Sequence, residues 1–336
     1  IVFGDWSSDV CSSDLVLQNK IGDLPDRLVE GEALFSAGFT HWFDKSYFAL
    51  SLAGKASGSE YNSDKALGYL NEIEFLEKYA VFSAKYGFAA LGLMNAEIMT
   101  EVSYNDIDYY YSGSVMDFRK RTAASVALKG ETESIISGSD ITLSLLSGIR
   151  FDAYSEGFSA FSPVVSVLTT VFGGALAARL QWAYNFRPPN FSELYYLNFG
   201  NRNLRPEKSD SYNLGITWQH AGFLQISADA FVIDSRDQIL SVPVSPVAWS
   251  AVNFAGTLAR GAELTASAGI LDNLLNLYIN YTYQETTDES AGNRGAAIPY
   301  VPGEMLSAGA GLRDSAFAAG ISAEYTGFRY TLPGNN

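Results

Sequence analysis

Charge is scarce in this chain. Only 18% of its 336 residues are Asp, Glu, Lys or Arg, where a soluble protein of this size usually carries about a quarter. What charge there is leans acidic, to a formal net of −15, which excludes nucleic acid as a partner because a polyanion needs a basic face. Cysteine is limited to Cys11, so no internal disulfide can form. Histidine occurs only at His41 and His220, both at expected tight turns, where a solvated side chain is the better reading than a base or a ligand. Cys/His metal spacings, a Gly-rich phosphate loop and a Ser/His/Asp set are all missing, so neither an enzyme nor a cofactor is expected. Long apolar runs are missing too, and no window approaches the ~18 residues of a transmembrane helix. A membrane-crossing strand remains open, since its signal is alternation over about ten residues.

Alternation is what the chain has in quantity, together with 20 Tyr, 21 Phe and 30 Gly. In Leu274 to Gln284, Leu275, Leu277, Ile279, Tyr281 and Tyr283 share one face, against Asn276, Asn280, Thr282 and Gln284. That period of two is a strand with one apolar and one polar side. Tyr212, Leu214, Ile216 and Trp218 repeat it, as do Leu176, Ala178, Leu180, Trp182 and Tyr184. Extended along the sequence, the pattern predicts about fourteen strands, near 30–41, 46–55, 67–80, 87–101, 122–134, 141–152, 160–171, 175–186, 209–219, 223–234, 253–270, 274–285, 305–313 and 316–326. Residues 1–15 fit neither period. DWSSDVCSSDL resembles translated sequencing-adaptor read-through, so 1–15 are set aside as non-native and 16–336 are read as part of one barrel domain.

Connection lengths add a direction. Short turns are predicted near 42–45, 83–86, 137–140, 172–174, 220–222, 271–273 and 314–315, and longer loops at 56–66, 102–121, 187–208, 235–252 and 286–304. Short and long alternate, with one short exception near 153–159. That places all tight turns on one rim and all long loops on the other, as in an outer-membrane barrel. The apolar face has almost no charge, whereas Arg179, Asp229, Glu263, Arg313 and Glu324 lie on the polar face. An oily exterior and a wet lumen account for this, because fourteen strands enclose more space than side chains can fill. Trp182, Tyr184, Tyr212, Tyr281, Tyr283 and Tyr325 form one interfacial girdle, with Trp218 toward the other rim. The fold class expected is therefore all-β, an antiparallel up-and-down transmembrane β-barrel.

One loop is distinctive. NFRPPNFSELY, Asn185 to Tyr195, is followed by GNRNLRPEKSDSYNLG, Gly200 to Gly215. Together they resemble the barrel signature of TonB-dependent outer-membrane receptors, here formed by Phe186, Arg187, Pro189, Glu193, Leu194, Gly200, Asn201, Leu204, Pro206 and Glu207. Further matches follow in the family's order: DAFVIDSRDQI from Asp229, then Asn253, Gly261 and Glu263 in NFAGTLARGAE, then PYVP from Pro299. The departures are Pro188, where Ala is common, and Ala262, where Val or Ile is usual. The resemblance implies a barrel of about 22 strands around an N-terminal plug. On that reading this chain is incomplete: about fourteen strands, without the plug or the closing strands.

The resemblance also implies a function, active uptake of a scarce large ligand such as a ferric siderophore or cobalamin. The TonB-ExbB-ExbD energising complex would act through the plug. Candidate ligand contacts in the long loops are Tyr109, Tyr110, Tyr111, Arg119 and Arg121, then Tyr195, Tyr196 and Arg202, then Trp249. Aromatic planes and cations suit iron chelates or corrinoids. Loop packing and contact with outer-membrane lipid or lipopolysaccharide phosphates are the alternative role for each. The alternative for the whole chain is a passive porin or structural barrel.

Overall fold

The computed structural model describes residues 27–62, 72–90, 94–111, 114–132, 136–137, 140–196, 199–245, 248–290 and 292–331. Residues 1–15, Cys11 among them, lie outside the described part. The strands are β1 (Arg27–Trp42), β2 (Ser46–Asn62), β3 (Glu72–Ala90), β4 (Met94–Tyr111), β5 (Ser114–Thr132) and the short β6 (Ile136–Ser137). They continue as β7 (Ile141–Tyr154), β8 (Ser159–Val171), β9 (Leu176–Arg187), β10 (Glu207–His220) and β11 (Leu224–Ser245). β12 (Ala248–Ile270), β13 (Leu275–Asp288), β14 (Glu304–Arg313) and β15 (Ala318–Thr326) complete the set, and α1 (Phe191–Tyr195) is a short helix. The strands follow one another in sequence order in one sheet, with β6 set aside on β7. The up-and-down order read from the alternation is thus present. By contact density the chain forms two units: one holds the described parts of Ile1–Leu34, Lys55–Tyr79 and Asp106–Lys120, and the other holds the rest.

Register turns the one-dimensional alternation into two faces. Ala178, Ile216, Ala228, Leu264, Tyr281, Leu306 and Tyr325 are aligned across β9 to β15. One residue along each strand, the aligned set becomes Ala177, Thr217, Ser227, Thr265, Asn280, Ser307 and Glu324. An apolar row and a polar row therefore alternate over the same strands, because successive Cβ atoms point to opposite sides of the pleat. The apolar rows are not a core: Leu214 is 49% exposed and Ile279 41%. The buried apolar side chains are instead small in number among the described residues, and Phe191, Leu194, Leu204, Ile239 and Ala251 lie in or against the loop between β9 and β10.

Two expectations need correction. The turn predicted at 83–86 does not exist, since Ser83 to Tyr86 run inside β3. At Gly87 a Cβ would stand 2.1 Å from the Tyr47 ring, which lies over it from β2. Three of the long loops are largely extended strand: β2 continues to Asn62, β4 and β5 run to Tyr111 and from Ser114, and β11 and β12 run to Ser245 and from Ala248. Ladder hydrogen bonds continue where the apolar face ends, so the strand outlasts the alternation that reveals it. Outside α1, the described residues of 188–206 and of 289–303 lie in no strand, and tight turns at 221–223, 271–274 and 314–317 fall on the opposite rim.

Candidate functional site

The family-like loop is built from Arg187 outward. Arg187 ends β9; Pro188 and Pro189 follow, cannot donate to a ladder, and stop the pairing. Asn190 then caps α1: its side chain accepts from the Glu193 backbone 2.7 Å away, and the Glu193 carboxylate accepts from the Asn190 backbone at 2.7 Å. That fixes Glu193 where Arg187 can reach it. The guanidinium donates to both Glu193 oxygens at 3.0 and 3.1 Å and to both Glu207 oxygens at 2.7 and 2.8 Å. Glu207 also accepts the Ile239 backbone N–H at 2.6 Å, tying β10 to β11. One planar fork thus holds two carboxylates from the two ends of the loop, a geometry that suits Arg and not Lys.

Behind the fork lies a small apolar cluster of Leu194, Leu204, Ile239 and Ala251, with Tyr195 and Phe199 against it. Gly200 closes the loop onto α1, and a Cβ there would lie 2.6–2.8 Å from the Tyr195 and Tyr196 nitrogens and the Leu194 carbonyl carbon. Asn201 donates to the Ala251 carbonyl at 3.1 Å. Asn253 works from the other side: its carbonyl accepts from Arg205 N–H at 2.8 Å, and its amide donates to the carbonyls of Arg205 and Asp237 at 2.9 and 2.6 Å. Pro206 lies between that anchor and the start of β10. The motif residues at 187–207 and Asn253 therefore form one clasp, which folds the loop against the β11–β12 hairpin. Gly261 and Glu263 stand apart from it. Gly261 lies beneath the Phe231 ring, 2.7 Å from where a Cβ would be, and Glu263 is exposed on the polar face opposite Asp229. Phe186 packs 6.1 Å from Tyr154.

The candidate contacts divide. Tyr109 is 3% exposed and packs against Phe75 on β4 and β3, so the structure places it in a strand and closes it to solvent. Tyr110 and Tyr111 are also strand residues, and Arg119 lies within β5. Arg121 is enclosed: it pairs with Glu156 at 2.6 Å, donates to the Pro189 carbonyl at 2.8 Å, and lies over the rings of Phe191 at 4.9 Å and Tyr154 at 5.8 Å. It fastens α1 from the β5 side. Arg202 is exposed and stacks on Tyr195 at 5.5 Å. Burial pushes the Tyr196 phenol above its ordinary range. Trp249 meets Tyr300 at 5.8 Å between ring centres. Among the described residues no group of three or more His, Cys, Asp and Glu could hold a metal. The sequence reading missed Asn190, Arg205 and Asp237, although Asn190-x-x-Glu193 is a readable capping box.

The sheet has counterparts among known proteins. Residues 25–336 match the family described as TonB dependent receptor-like, beta-barrel. The chain belongs to that family. Over 91 residues it is 33% identical to the vitamin B12 transporter BtuB of Vibrio vulnificus (strain YJ016), a stretch covering 26% of this chain and 15% of that protein. A mutant of the ferric enterobactin receptor PfeA from Pseudomonas aeruginosa shares the fold with a TM-score of 0.71 at 16% identity, covering 90% of this chain and 49% of that one. The siderophore receptor PirA from Acinetobacter baumannii gives 0.67 at 15%, covering 86% and 48%. The chain thus spans about half the length of these solved receptors. Proteins of this family sit in the outer membrane of Gram-negative bacteria, so the exposed apolar rows are the lipid-facing side and the polar rows the lumen.

Proposed function

We propose that this TonB-dependent receptor chain forms part of the wall of an importer that brings a scarce, large ligand, an iron chelate or a corrinoid, into the periplasm. The reading rests chiefly on the clasp: Arg187, Glu193, Glu207 and Asn253 hold a long loop in fixed shape at one rim. A passive pore gains nothing from an ordered aromatic loop at its mouth. A receptor does, because preorganised loops lower the entropic cost of binding. Arg202 with Tyr195, and Trp249 with Tyr300, supply the accessible cation and aromatic planes. The enclosed Arg121 and the buried Tyr109 serve the fold, not the ligand. Energy would come from the TonB-ExbB-ExbD complex.

The test is uptake by cells carrying the complete receptor, with ferric enterobactin and cyanocobalamin as separate probes. Accumulation of one probe should require both the receptor and an intact TonB system. Uptake that survives loss of TonB would make the protein a passive pore. In the same receptor Arg202→Ala and Trp249→Ala should each weaken binding of the accepted probe about tenfold, whereas Tyr109→Phe should leave it unchanged.

A further inference from the structure

Pro163 stands inside β8, a strand with a partner on each side. Proline has no N–H to give a ladder and is confined in sheets mainly to edges and bulges. Which partner loses the bond follows from the closure of the β7–β8 hairpin. Tyr154 N–H donates to the Phe158 carbonyl at 2.9 Å, and such bonds recur at every second residue. Even-numbered residues of β8 therefore bond to β7 and odd-numbered ones to β9, so the donor that Pro163 lacks would have faced β9. The registers agree. Pairing with β7 runs past Pro163 to Ser159, whereas pairing with β9 ends just short of it, at Val164 opposite Ala183. β9 continues to Arg187 with its ladder to β10 intact.

A seam thus separates Ser159–Pro163 from Tyr184–Arg187, about four rows deep at ~3.3 Å each. It begins level with the girdle residue Tyr184, so its backbone groups meet water and not hydrocarbon, where leaving them unpaired would be too costly. On one side the β7–β8 tip is a coherent piece. The Phe151 and Phe161 rings lie 4.8 Å apart, and Ser155 N–H donates to the Thr122 carbonyl at 2.9 Å, tying the tip to β5. On the other side Arg187 ties β9 to the clasp. Side chains bridge the two pieces where the backbone does not. Arg121, from β5, pairs with Glu156 in the hairpin turn at 2.6 Å and crosses to the Pro189 carbonyl at 2.8 Å and the Phe191 ring at 4.9 Å. Tyr154 meets Phe186 at 6.1 Å between ring centres.

We propose that the loop-rich rim opens and closes along this seam, hinged where the β8–β9 ladder ends and latched by Arg121. Latched, the β7–β8 tip and the α1 loop form one continuous edge. When Arg121 lets go of Pro189, the tip moves off with β5 and the loop stays with β9 and β10. The mouth then widens without unfolding the clasp, because Arg187, Glu193, Glu207 and Asn253 all lie on one side of the split. The movement is a property of the wall and does not depend on what the receptor imports.

Amide exchange in the wild-type complete receptor tests the seam itself and requires no variant to fold. The N–H groups of Phe161, Tyr184 and Phe186 face the gap and should exchange at least about tenfold faster than those of Val165 and Trp182, which are paired below it. Spin-label distances in the same receptor test the movement. Labels at the exposed Ser159 and Ser192 should give one distance, to which Arg121→Ala adds a longer population. Labels at Ser192 and Gln219, both on the β9–β10 side, should keep a single distance in that variant. Pro163→Val restores the donor and should remove the longer population from the Arg121→Ala protein. Seam amides as protected as those below, or an unchanged Ser159–Ser192 distance in Arg121→Ala, would overturn the proposal. So would a longer population that survives Pro163→Val, or broadening of the Ser192–Gln219 distance, which would mean that α1 alone comes loose.

Discussion

Arg187 shows how much of this molecule hangs on single side chains. Its guanidinium satisfies four carboxylate oxygens, and removing it would leave Glu193 and Glu207 facing each other without a cation. Its side chain is about a third exposed, which moderates the loss. Arg187→Ala should therefore cost about 2–3 kcal/mol, seen as a lower unfolding temperature of the heat-modifiable band and faster proteolysis within 188–206. Arg187→Lys should recover little of it, because an ammonium cannot bind two carboxylates bidentately. Gly200 is constrained by space: the atoms a Cβ would meet are backbone and cannot move aside. Gly200→Ala should cost about 1–3 kcal/mol in the same assay. If it is neutral, the contact of that loop with α1 is looser than described.

Among the elements, the loop between β9 and β10 and the β11–β12 hairpin are stable only together. Each lends the other backbone partners through Asn201, Asn253 and the Leu194–Ala251 cluster. Asn253→Ala strips three hydrogen bonds at once and should cost about 2–3 kcal/mol. Amide exchange should accelerate in both elements, not in the hairpin alone. The sequence revealed these elements unevenly, for a physical reason. Within the hydrocarbon, lipid on one side and water on the other impose the period of two, so β9, β10, β13, β14 and β15 agree with the alternation to within a few residues. Beyond it no such contrast exists, and the upper parts of β2, β4, β5, β11 and β12 look like loop though they are paired. The clasp was legible as a family-like string of residues. Its purpose was not, since nothing in the order of residues says that Arg187 meets Glu207 across twenty positions.

For the molecule as a whole, the decisive question is which face meets lipid. Leu264 lies on the apolar face, in register with Ala228 and Tyr281, and Thr265 beside it faces the other way. Leu264→Arg in the complete receptor should destabilise it by about 2–4 kcal/mol, whereas Thr265→Arg should stay within about 1 kcal/mol, judged by refolding into bilayers at graded urea. Spin labels read the same question without a stability scale. Single cysteines at Leu264, Ile279, Thr265 and Asn280 would be labelled in bilayer-reconstituted receptor and their collisions with oxygen and with a water-soluble nickel chelate compared. Labels at 264 and 279 should collide with oxygen and be shielded from nickel, and those at 265 and 280 should show the reverse. Nickel access at 264 and 279 would mean that the apolar rows do not face hydrocarbon, and the membrane reading would fall with them.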